Sequence, residues 1–173
     1  METYTSDAND AELWRLGVLI VDELRSMTFD PVSEASGRIA AAGIVLRKNP
    51  AIPAEDFTES EIKPGLLVVI GNDYASPWNQ GTNEAEDLYY QILIQVINVD
   101  HGDRLRCLRT HLKWMSQIKN RMNQSSLVDS LTGVTLGHAA QVTTLDEKQW
   151  RRHGNFVGGV MTRWLSREDN DNE

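Results

Sequence analysis

The stretch 88–122, LYYQILIQVINVDHGDRLRCLRTHLKWMSQIKNRM, decides the fold class. Its first twelve residues alternate. Tyr90, Ile92, Ile94, Val96 and Asn98 fall on one side of an extended chain, and Tyr89, Gln91, Leu93, Gln95, Ile97 and Val99 on the other. That is the period of a strand, with Gln91 and Gln95 marking the more polar face. The turn Asp100-His101-Gly102-Asp103 follows, and Asp103 is placed to cap a helix. Leu105, Leu108, Leu112, Met115, Ile118 and Met122 then recur every three or four residues. That is a helical apolar stripe, and the helix is expected to run to about Asn123. A strand leads directly into an amphipathic helix.

Elements of both kinds lie on either side. Upstream, Leu13, Leu16, Ile20, Leu24 and Met27 make one stripe, opposite Glu12, Arg15, Asp22 and Arg25. This first helix is expected to start with Asn9 as cap and Glu12 closing a capping box, and to end at Phe29-Asp30-Pro31. Residues 31–64 carry Pro31, Pro50, Pro53 and Pro64 and are read as a long irregular connection. Within it, Ala40 to Leu46 suits either a strand or a helical turn. Gly65-Leu66-Leu67-Val68-Val69-Ile70-Gly71 reads as a central strand because its apolar run is unbroken. Downstream, Val134 to Thr144 and Asn155 to Leu165 read as two further strands. Two strands, a helix and two strands predict an α+β two-layer sandwich. Its sheet is four-stranded and mainly antiparallel, with both helices on one face. The whole chain, 1–173, is read as one domain, with a disordered acidic tail at about 168–173.

Composition narrows the class of function. Apolar residues at 40% and charged residues at 24% exclude wholesale disorder. The first fifteen residues lack the basic start and apolar run of a secretory signal. The longest apolar runs fall far below the roughly 20 residues that cross a bilayer, so a soluble protein without a membrane partner is expected. Charge is split along the chain. Residues 1–100 hold 6 basic and 17 acidic residues, a net of −11, whereas 101–167 hold 11 basic and 4 acidic, a net of +7. Such a chain either presents two faces to two partners or intermixes its halves on folding.

Motifs for chemistry are missing. The segment after Ile70, GNDYASPWNQG, has neither the glycine spacing nor the lysine of a phosphate loop. Gly-x-Ser-x-Gly does not occur. Cys107 and His111 stand four apart on one helix, but a lone buried cysteine reads as a small hydrophobe. We therefore expect a non-enzymatic protein with no catalytic, cofactor or metal residues. The second helix is the expected contact surface, through Arg104, Arg106, Arg109, Lys113 and Arg121. Its acidic complement is expected in Glu55, Asp56, Glu59 and Glu61 of another copy, with Trp78 as an aromatic contact. A nucleic-acid partner is disfavoured, because no aromatic platform interleaves with the cations. Trp14 and Trp114 fall off the main stripes, which suits either an interface or the rim of a small core.

The segment from Leu88 to Leu165 resembles the tail terminator (tail completion) proteins of long-tailed bacteriophages. The features that carry the likeness are YYQILIQVINVD leading into LRCLRTHLKWMSQIKNRM, followed by VTLGHAAQVTTLD and NFVGGVMTRWLSRE. The first helix and GLLVVIGND stand in the matching order. The likeness covers about 120 residues, omits Pro31 to Lys63 and contains no short diagnostic motif. It implies a hexameric ring at the head-proximal end of a tail tube. Such a ring stops tube polymerisation and joins the head, with no cofactor and no catalytic residue. The implied partners are further copies, the tube protein and head–tail connector proteins, in a virion assembled in the host cytoplasm. Alternatives are a head-completion or neck protein of the same virion, and a small α+β ligand-binding domain or enzyme built around Trp78 and His101.

Overall fold

A computed structural model describes residues 3–7, 10–32, 38–47, 65–70, 85–99, 104–124, 127–128, 135–142 and 155–169. Helix α1 spans Glu12–Arg25 and α2 spans Arg104–Gln124. The strands are β1 Ile44–Arg47, β2 Gly65–Ile70, β3 Ala85–Val99, β4 Leu127–Val128, β5 Thr135–Val142 and β6 Asn155–Asp169. The chain is an α+β protein. The four predicted strands form the run β2-β3-β6-β5, antiparallel throughout, and two short strands lengthen the sheet to β1-β2-β3-β6-β5-β4. Edge strand β1 is parallel to β2, which makes the sheet mixed, and β4 is antiparallel to β5.

The alternation read in β3 fixes which way the sheet faces. Ile92, Ile94, Val96 and Asn98 are fully buried, while Gln91, Leu93 and Gln95 across the pleat are partly exposed. The register sets Leu66 opposite Val96, and Val160 and Thr162 opposite Ile94 and Ile92, so their side chains share that face. Leu16, Ile20 and Leu24 of α1 and Trp114, Met115 and Ile118 of α2 join the same core cluster. Burying each such side chain contributes about 1.5–3 kcal/mol. Val45, Ile97 and Val157 form a smaller cluster on the opposite face.

Several expectations are corrected. The cap of α1 is Ala11, with no side-chain capping bond, and Glu12 instead accepts a hydrogen bond from the Tyr90 hydroxyl at 2.9 Å. Tertiary contact outbids the local box. Arg15, expected on the solvent side, is buried and donates to the Asp10 carbonyl at 2.7 Å. Ala40 to Leu46 adopts both readings in turn, a 3-10 turn over Ala41–Gly43 and then β1. Strand β6 runs to Asp169, so Glu168 and Asp169 are paired with Glu86 and Ala85 where a loose tail was expected. Residues 170–173 and most of the 31–64 connection lie outside the described residues.

Two details of β6 position the helices. Thr162 Oγ1 donates to the Ile92 carbonyl at 2.8 Å and accepts from Trp164 Nε1 at 2.8 Å, which satisfies a buried indole. At Gly158 an added Cβ would come within 2.8 Å of both His111 Nε2 and Met115 Sδ. Glycine there lets α2 lie close on the sheet. Finally, β3 and β6 pair over all fifteen residues, but β2 reaches only Ile92 and β5 only Leu165. The pairs from Leu88–Ser166 to Ala85–Asp169 therefore form a two-stranded extension among the described residues.

Candidate interaction surface

Helix α2 carries two apolar rows, and the sheet selects between them. The buried row is Cys107, His111, Trp114, Met115, Ile118 and Met122. It coincides with the predicted stripe only from Met115 onward. The predicted leucines of the first half turn outward: Leu105 is 75% exposed, Leu112 is 47% exposed, and Leu108 is half-buried. Trp114, set off the predicted stripe, is fully buried, and its Nε1 donates to the Asp30 carbonyl at 3.2 Å. The sheet takes the row with the largest side chain. The leucines are left as a ridge on the solvent side.

The predicted cations divide. Arg106 and Arg109 are exposed one turn apart, next to the leucine ridge. Lys113 is half-buried and donates from Nζ to the Asp30 carbonyl at 3.1 Å. Arg121 pairs through Nε with Glu23 Oε1 of α1, so the acidic and basic halves meet there inside one molecule. Arg104 opens the helix. Glu55, Asp56, Glu59, Glu61 and Trp78 lie outside the described residues. The structure thus groups Arg106 and Arg109 with the leucines and spends Lys113 and Arg121 on internal contacts.

The segment after α1 is tied along α2. Besides the two bonds to the Asp30 carbonyl, the Val32 amide donates to Thr110 Oγ1 at 3.0 Å. On the far side of α1 the N-terminal residues pack back. Trp14 Nε1 donates to the Thr5 carbonyl at 3.1 Å, and the Tyr4 and Trp14 rings meet edge-on at 6.5 Å. Trp14 is still 37% exposed, with exposed Asp7 two residues beyond Thr5.

His111 is the unusual group in the core. It is fully buried, its ring centroid lies 6.0 Å from that of Phe156, and neither ring nitrogen has a hydrogen-bond partner among the described residues. Burial pushes its pKa down from 6.5 to about 4, so the ring is neutral. Cys107, one turn before it, is likewise fully buried. Among the described residues no three His, Cys, Asp or Glu side chains gather as a metal site, and no helix is long and apolar enough to cross a membrane. Comparison with models of known protein families and with curated proteins gives no match.

Proposed function

We propose that this chain is a non-enzymatic virion assembly protein that caps the head-proximal end of a phage tail tube. As a ring of copies, it ends tube polymerisation and offers the surface to which the head joins. The observation that carries the reading is the outward leucine ridge of α2 beside Arg106 and Arg109. A leucine three-quarters exposed at the end of such a ridge gains by being covered, and protein is the cover an apolar ridge with a cationic rim suits. The order β2, β3, α2, β5, β6 supports the same reading, because the likeness to tail terminators rests on that order. The partners are further copies of the chain, the tube protein and the head–tail connector proteins.

The test is tube assembly in vitro. Added to polymerising tube protein, the chain should shorten the tubes, and electron micrographs should show it at one end only. Tubes of unchanged length that carry no added density would refute the proposal. Binding to portal or adaptor protein but not to tube would make it a neck protein instead.

A further inference from the structure

Among the described residues β1 is an outer edge of the sheet, with β2 as its neighbour on the inner side. The backbone groups of a strand point alternately to its two sides, so an edge strand turns every second residue away from the sheet. In β1 those residues are Ile44 and Leu46, and three of their four outward groups are bonded from outside the sheet. The Ile44 amide donates to the Ala41 carbonyl of the preceding 3-10 turn. The Ile44 carbonyl accepts from a guanidinium nitrogen of Arg25 at 2.9 Å. The Leu46 amide donates to the Tyr4 hydroxyl oxygen at 3.0 Å. The last two partners also hold each other, because the Arg25 guanidinium carbon lies 5.2 Å from the centre of the Tyr4 ring.

These two residues are anchored differently. Arg25 belongs to the last turn of α1. Tyr4 is carried by residues 3–7, which form neither helix nor strand. The segment is tied down by the edge-on contact of Tyr4 with Trp14, the Trp14 Nε1 bond to the Thr5 carbonyl, and the bond from the Asp7 amide to the Asp10 carboxylate at 2.8 Å. None of these ties is a rung of a β-ladder.

We propose that Tyr4 and Arg25 guard the β1 edge and that residues 3–7 are a strap. With the strap in place the sheet adds no strand beside β1; with the strap withdrawn, β1 takes an extended segment of a partner protein. Such a segment would donate to the Ile44 carbonyl and accept from the Leu46 amide, the two roles that Arg25 and Tyr4 fill, and would pair along the rest of β1 as well. The strap brings one hydroxyl to this edge, so a continuous strand is the stronger occupant. The side chains of Ile44 and Leu46 belong to the main core cluster, whereas Tyr4 only packs against it, so the strap leaves without opening the core. Recognition runs through the backbone and selects an extended conformation more than a sequence. The device does not depend on the tube-capping reading.

The test compares wild type, Tyr4→Phe and a chain lacking residues 2–7, with circular dichroism checking that each is folded. Tyr4→Phe keeps the ring under Arg25 and loses only the hydroxyl. Amide exchange followed by NMR should then be about fivefold faster at Leu46 and unchanged at Ile94 in the middle of the sheet. The probe strand is a fluorescein-labelled peptide of alternating threonine and valine with a lysine at each end. It should bind the truncated chain about tenfold more tightly than wild type, with Tyr4→Phe between them, and should slow exchange at Leu46 when bound. Exchange at Leu46 that is the same in wild type and Tyr4→Phe overturns the guard. A peptide that binds all three proteins alike, that binds none, or that binds without protecting Leu46 overturns the docking edge. Should the truncated chain fail to fold, Tyr4→Phe against wild type still gives both readouts.

Discussion

Acid should destabilise this protein through His111. In the folded chain the imidazole is fully buried and holds its neutral form down to about pH 4, whereas the unfolded chain takes up the proton at about 6.5. Below 6.5 the unfolded state therefore binds more protons than the folded one, and stability falls as pH falls. Each pH unit within that window costs about 1.4 kcal/mol. Between about pH 8 and pH 5 the loss is about 2 kcal/mol, and at pH 4 about 3 kcal/mol. Total stabilities of about 5–15 kcal/mol make this a large share. The assay is urea unfolding followed by tryptophan fluorescence, which buried Trp114 and Trp164 report well, at several pH values for wild type and His111→Leu. Wild type and variant share every other ionisable group, so the difference between the two curves isolates His111. The variant should gain about 2 kcal/mol on wild type from pH 8 to pH 5. Parallel curves would refute the reasoning, as would an NMR titration of the folded ring with a midpoint at 6.5 or above.

The remaining predictions concern the same core and its rim. Gly158→Ala should destabilise the chain by about 1–3 kcal/mol in thermal or urea unfolding, because its methyl meets His111 and Met115; a neutral result would mean that α2 sits farther from β6. Thr162→Val should cost about 1–3 kcal/mol by removing the hydroxyl to which the Trp164 indole donates, and Thr162→Ser, which keeps the hydroxyl, should cost less. A double-mutant cycle of Glu23→Gln and Arg121→Gln should give a coupling of about 1 kcal/mol or less that shrinks with salt, since the Arg121 side chain is 47% exposed.

Where a run was long and had one partner surface, its pattern could be read directly. In β3 the alternation of Ile92, Ile94 and Val96 with Gln91 and Gln95 survives unchanged as buried and part-exposed faces. The α1 stripe likewise holds at Leu16, Ile20 and Leu24. In α2, two apolar rows overlap at Met115, Ile118 and Met122 and diverge toward the N-terminus. Periodicity alone favoured the leucines, since a histidine and a threonine interrupt the other row. Only the sheet, with Gly158 making room beneath it, decides for His111 and Trp114. Strands β1 and β4, four and two residues long, carry no period to detect. The far end of β6 was missed because backbone pairing with β3 does not require an apolar sequence. The candidate surface was legible as a basic helix. Its apolar ridge was not, because those leucines had been assigned to the core.

The unequal lengths of the strands have a mechanical consequence. Among the described residues the four outermost β3–β6 pairs, about 13 Å of two-stranded ribbon, lie beyond the last residues that pair with β2 and β5. They continue the two middle strands of the sheet, so the ribbon is a cantilever rooted where Tyr90 and Trp164 join the main core cluster. A force on its tip cannot be absorbed by a hinge at the base, because bending there would break ladder bonds between β3 and β6 that the core holds in register. The load passes along β3 and β6 to the strand face under α2, and a body docking at the tip would be held at an angle set by the core.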